Sequence, residues 1–140
     1  MPGVRGAGPV ALVAVLAAVL SGCGSVQERA DAASAAALGF RETLRTTHGA
    51  RGCAALAPGT REELEQNAEL PCARALSDAG LPAADTADAV RVVDVYGRQA
   101  RVVTDHDTLF LSSFPGGWKI TATGCTERPD LPYQCLIKGG

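Results

Sequence analysis

Apolar residues follow three successive patterns along this chain. From Pro9-Val10 to Val19-Leu20 they run almost unbroken, from Ser25 to about Ala79 they recur at helical spacing, and from Val90 to Thr123 they alternate with polar residues. The last pattern is the period of two expected of strands with one buried face.

The helical region divides at its own punctuation. Ser25 to Glu28 has the form of a capping box, so a helix is expected to start there and to run to about Thr47. Ala33, Ala37, Phe40 and Leu44 would form its buried face, with Arg29, Arg41, Glu42 and Arg45 mostly on the other side. His48-Gly49 would end it. Arg51 to Leu56 reads as a short helix stopped by Pro58-Gly59. Thr60 to Glu63 has the form of a second capping box, with Leu64 and Ala68 marking the inner side. Pro71 suits the first turn of a further short helix, where its missing N–H matters least. Gly80 and Pro82 close the region, and Pro82 to Asp88 reads as a linker.

The strand region predicts four runs: Val90 to Tyr96, Ala100 to Thr104, Leu109 to Phe114, and Trp118 to Thr123. In the last, Trp118, Ile120 and Ala122 alternate with Lys119, Thr121 and Thr123. Turn residues separate the runs: Gly97, Asp105-His106-Asp107, and Pro115-Gly116-Gly117. Connections this short imply an antiparallel meander. Helices followed by a meander give an α+β domain, with the helices packed on one face of the sheet.

The first apolar run changes the picture of location. It is shorter than the roughly 20 residues a membrane span needs, and it ends in Leu20-Ser21-Gly22-Cys23. Residues 1–22 therefore read as a secretory signal peptide. The tetrapeptide resembles the bacterial lipobox, in which the cysteine is lipidated and the preceding bond is cut. Residues 23–140 would then form a single domain tethered to the cell membrane, on its extracytoplasmic face, by palmitate-type acyl chains on Cys23. Arg5 stands alone, so a twin-arginine route finds no support.

Cysteine arithmetic points the same way. Five cysteines are an odd number for an exported chain; setting Cys23 aside leaves Cys53, Cys72, Cys125 and Cys135. Four can pair in three ways. Cys53 and Cys72 lie on consecutive short helices that double back on each other. Pro129, Asp130 and Pro132 favour a turn that returns the chain to Cys125. Local pairs, Cys53–Cys72 and Cys125–Cys135, are therefore expected. No Cys-x-x-Cys spacing or neighbouring histidine suggests a metal, so none is expected.

Ala54-Ala-Leu-Ala-Pro-Gly-Thr60 after the first helix, and Phe114-Pro-Gly-Gly-Trp-Lys-Ile120 in the meander, carry a resemblance to the NTF2-like (cystatin-like, SnoaL-like) fold. The stretch from Gly124-Cys125 to Cys135, with Lys138-Gly-Gly140, is similar to small actinobacterial lipoproteins. The resemblance implies a cone-shaped cavity between a curved sheet and the helices. It implies no one chemistry, because the fold hosts enzymes, carriers and structural domains.

Net charge is −2 with both signs interspersed, which gives no basic face for nucleic acid. Asp105-His106-Asp107 is the one cluster with an acid–base character, but its place between strands favours turn residues with side chains in water. His48 reads as a helix-end residue. Asp94 and Trp118 are the weak candidates for a ligand site; an Arg-paired Asp94 and a core-anchoring Trp118 are the plainer expectations. Tyr133 is expected to pack the tail down. No nucleophile-elbow or Walker motif occurs. The expected function is therefore non-enzymatic and without a cofactor: an envelope lipoprotein binding a partner protein or a small apolar ligand. The alternatives are a small enzyme with its site in the cone, and a purely structural domain.

Overall fold

The computed structural model describes residue 3, residues 25–83 and residues 86–139. The segment expected to be a signal peptide, apart from Gly3, and Cys23 itself lie outside the described residues. Four helices come first: α1 (Val26–Arg45), α2 (Gly49–Ala55), α3 (Pro58–Ala68) and α4 (Cys72–Asp78). Five strands follow: β1 (Val90–Tyr96), β2 (Gln99–Thr104), β3 (Thr108–Phe114), β4 (Gly117–Arg128) and β5 (Leu131–Lys138). They form one antiparallel sheet in the order β1-β2-β3-β4-β5. This is the α+β arrangement of helices, then meander. No described helix is long and apolar enough to cross a membrane.

Helix α1 starts at the expected capping box: Ser25 Oγ accepts from the Glu28 N–H, and the Glu28 carboxylate accepts from the Ser25 N–H. Its inner face carries Ala33, Ala37 and Phe40, all fully buried, and lies across the sheet. Small alanines let the helix approach closely, and Phe40 fills the space beyond them. Val102, Leu109, Leu111 and Ile120 meet it from β2, β3 and β4 with no exposed surface. The interior between α1 and the sheet is thus filled with side chains where a cone would be open.

Helices α2, α3 and α4 extend this layer beyond α1. Gly52 of α2 sits so close to its neighbours that an added Cβ would lie 2.6 Å from Leu76 of α4 and 2.9 Å from the Thr43 hydroxyl of α1. A disulfide joins Cys53 of α2 to Cys72 of α4, with 6.1 Å between their Cα atoms. A second joins Cys125 to Cys135, which face each other across β4 and β5. Each bridge stays within one half of the chain. A bridge of this kind contributes about 3 kcal/mol by restricting the unfolded chain.

Several elements differ from the sequence expectation. Helix α3 starts at Pro58, with Ala57 as its cap and no side-chain capping bond. Proline in the first turn does the work assigned to a Thr60 box. Thr60 is instead buried, its hydroxyl shared between the carbonyls of Thr121 and Gly139. The alternation of Trp118, Ile120 and Ala122 breaks at a bulge. Leu111 pairs with Ile120, but Phe110 pairs with Ala122, so Thr121 is an extra residue. Beyond it the inward position passes to Thr123, which is fully buried. Finally, the tail is strand β5, paired with β4 from Ala122–Lys138 to Arg128–Leu131. Its exposed Leu131 and Leu136 blur the alternation that would have signalled it.

Candidate functional site

The polar residues with most structure around them lie where α1 passes the β2–β3 turn. Arg41, expected on the outer side of α1, is buried. Its Nε donates to Asp88 Oδ2 at 2.7 Å, and the two side chains are each 3% exposed. Asp88 belongs to the segment that reads as a linker; two of its residues, Ala84 and Asp85, lie outside the described residues. Asp88 Oδ2 also lies 3.1 Å from the Thr104 hydroxyl, and its Oδ1 lies 3.0 Å from His106 Nδ1. Burial alone would push the Asp88 carboxyl up. Hydrogen bonds from Arg41, His106 and Thr104, with the charge of Arg41, outweigh that and hold it below the ordinary carboxylate range.

Asp107 was expected in water and is instead buried. Its Oδ1 accepts from the N–H groups of Thr108 (2.7 Å) and Cys125 (3.2 Å). Its Oδ2 accepts from the Thr123 hydroxyl (2.6 Å) and the Gly124 N–H (3.0 Å). Arg41 Nη1 stands 3.9 Å from the same Oδ2, an ionic contact rather than a hydrogen bond; this nitrogen makes no hydrogen bond among the described residues. One carboxylate therefore ties the β2–β3 turn to the middle of β4 across 16 to 18 residues of chain. It satisfies backbone donors that a bend in β4 would otherwise leave unpaired.

Asp105, the third member of the turn, accepts from Arg91 Nε and from the Ala89 N–H. Asp88, Asp105 and His106 each place one ligand atom within 4.8 Å of the others, close enough for a metal ion. Arg41 and Arg91 already occupy those carboxylates, so a cation would have to displace an ion pair at each. Asp105 and His106 are exposed, and His106 is the member at the cleft. It borders an open cleft of about 590 Å³ with Thr104, Thr108, Thr126 and Gln134. Asp88 orients its ring through Nδ1, which leaves Nε2 away from that contact.

The other candidates are elsewhere. His48 caps α2 by position only: it makes no side-chain cap bond, and its Nδ1 lies 2.9 Å from the Thr46 hydroxyl. Asp94 pairs across the strands with Arg101, whose Nε donates to it at 3.0 Å. Arg101 also donates to the Tyr133 hydroxyl at 3.0 Å, and the Tyr133 ring packs edge-on against Phe110 at 5.1 Å. This row fastens β5 over the sheet. Trp118 is half-buried against the core, with the Arg29 guanidinium 5.9 Å from its ring centre. The structure thus brings His106 and Asp107 into contact with a shared network and keeps His48, Asp94 and Trp118 apart from it. Arg41, Asp88, Thr104 and Thr123 are the members that sequence reasoning missed. Nothing in the sequence marked them, since their partners lie far along the chain and arginine on a helix ordinarily faces solvent.

An open apolar groove of about 530 Å³ lies between the C-terminal end of α1 and α4, lined by Leu44, Gly49, Ala73, Leu76, Leu81 and Ala83. Comparison of the chain with protein-family profiles, with curated proteins and with solved structures gives no match.

Proposed function

We propose that the protein is an extracytoplasmic lipoprotein. The precursor is cut before Cys23, that cysteine carries the lipid, and residues 23–140 form an NTF2-like domain that binds a partner protein of the cell envelope. The observation that carries this reading is the use of cysteine. Two bridges absorb Cys53, Cys72, Cys125 and Cys135, and the fifth cysteine is the one in Leu20-Ser21-Gly22-Cys23. Disulfides belong to oxidising compartments. A binding role is favoured over catalysis because Asp88 and Asp107 are spent on holding the turn. A partner protein is favoured over a small apolar ligand because Phe40, Leu109 and Leu111 fill the interior, while the groove beside Leu44 and Leu76 is open to the outside.

The test is metabolic labelling with an alkyne fatty acid, followed by mass analysis of the mature N-terminal peptide. The expected product is a diacylated Cys23 with residues 1–22 absent, and label is lost in Cys23→Ser. An unlabelled protein, or one that retains residues 1–22, would refute the proposal. One observation favours a second reading, a small enzyme: the 3.0 Å contact of His106 with Asp88 beside the cleft. His106→Gln with unchanged folding and abundance but lost cellular function would select it.

A further inference from the structure

The direction of α1 across the sheet is fixed at both ends. Near its C-terminus Arg41 meets Asp88 and the β2–β3 turn. Near its N-terminus Arg29 meets Trp118, which follows the β3–β4 turn. The β1–β2 turn is beside it, since the Ser113 N–H donates to the Arg98 carbonyl at 2.8 Å. The start of α1 and these two turns therefore make up one end of the molecule, and the His106 cleft lies toward the other. At 1.5 Å per residue the 20 residues of α1 separate the two ends by about 30 Å.

We infer that the end formed by Val26, Arg29, Tyr96, Arg98, Pro115 and Trp118 lies on the phospholipid surface, with the His106 cleft and the Leu44–Leu76 groove held away from it. This rests on the lipidation of Cys23 proposed above. Only two residue steps separate Cys23 from Ser25, and even fully extended they span about 7 Å. A lipid on Cys23 thus brings the first turn of α1 to the headgroups whatever the intervening conformation. The chemistry of that end suits the boundary it would meet. Val26 and Tyr96 are 72% and 73% exposed, among the most exposed large apolar side chains of the described residues. Pro115 and Arg98 are exposed in the adjoining turns, and Trp118 stands half-buried behind Arg29. Tyrosine and tryptophan favour the headgroup layer because one part of the ring system is apolar and another is polar. Arginine there attracts anionic lipid. The acid of the same helix turn, Glu28, is folded back onto the Ser25 N–H.

Trp118 is the only tryptophan in the chain and reports on its own surroundings. The mature lipoprotein is reconstituted into vesicles of mixed zwitterionic and anionic phospholipid, with and without bromine on the acyl chains. Flotation reads the anchor; quenching of Trp118 reads the surface. Flotation with emission roughly halved by brominated lipid is expected for an interfacial tryptophan. Tyr96→Glu/Arg98→Glu, and separately Val26→Glu, should float as well as the parent but lose most of that quenching. Flotation without quenching, or quenching unchanged in these variants, overturns the surface assignment and leaves the anchor standing. A parent protein that does not float overturns the anchor, and the surface assignment with it.

Discussion

The two ends of the sheet close their turns by different means. At the end beside the start of α1, β1–β2 and β3–β4 are joined by exposed two-residue loops. Glycine shapes them: Gly97, within the first, has φ +57°, and Gly117, the β4 residue that follows the second, has φ +116°. At the other end, Asp105-His106-Asp107 is held from inside by Asp107, Asp88 and Arg41. The first kind of turn needs only local chemistry. The second needs partners from β4, from the segment before β1, and from the C-terminal part of α1. An aspartate between two strands can therefore belong to either kind. What decides is a set of donors far along the chain: here the Thr123 hydroxyl and the N–H groups of Gly124 and Cys125.

The contrast predicts where a single change does most damage. Asp107→Ala removes the acceptor of four hydrogen bonds and leaves Arg41 with less negative charge to face, in a buried site. Removing one partner from a buried ionic network costs about 3–5 kcal/mol. That is a large share of a small domain's stability. The check is the urea midpoint of the purified mature domain. A loss under about 1 kcal/mol, the scale of one ordinary hydrogen bond, would mean that Asp107 decorates the turn and does not hold it.

The same comparison explains what was legible in the sequence. The capping box at Ser25, the alanine face of α1, the solvent turns at Gly97 and Pro115, and the meander order all depend on residues within a few positions of one another. The α+β arrangement followed from them. The misses all depend on contacts between distant residues. Thr60 looked like a cap because Glu63 follows it, yet its hydroxyl serves Thr121 and Gly139. Arg41 looked solvent-facing because arginine mostly is, yet Asp88 takes it inward. Strand β5 was hidden because its leucines face out and the Cys125–Cys135 bridge, with Tyr133 on Phe110 and Arg101, holds it in place of a regular apolar face. The His106 cleft depends on the same distant contacts, so only its turn residues could be read: Asp105 and His106 are exposed as expected, and Asp107 alone turns inward.

A smaller effect at the pinned end is set by acid. Asp88 has a folded-state pKa below its value of about 4 in an unfolded chain. It therefore contributes stability that is fully present above that unfolded value and is lost as pH falls through the lower folded value. The groups that face it are Arg41 from α1, Thr104 at the end of β2, and Asp105 and His106 from the turn. Thermal midpoints measured from neutral pH down to about pH 2 should fall, and Asp88→Asn should start lower and fall less. Parallel curves for the parent and Asp88→Asn would show that the acid sensitivity comes from other carboxylates.

The smallest effect belongs to the solvent end, and it is local by construction. Gly97 sits at φ +57°, a conformation in which a side chain meets the following carbonyl, while the space around it is open: an added Cβ would have no heavy atom within 4 Å. Only backbone strain, with no packing clash, opposes substitution there. Gly97→Ala should cost about 1–2 kcal/mol, the left-handed penalty of an ordinary L-residue. Gly97→Asn should cost less, because asparagine tolerates that region. Neither change touches the Asp107 network, so paired with Asp107→Ala each should add to it within about 0.5 kcal/mol. Urea midpoints of the single and double variants measure this. A coupling well above that value would mean that the two ends are not independent, and that strain in a solvent turn reaches the buried carboxylates through the strands β2 and β3 that connect them.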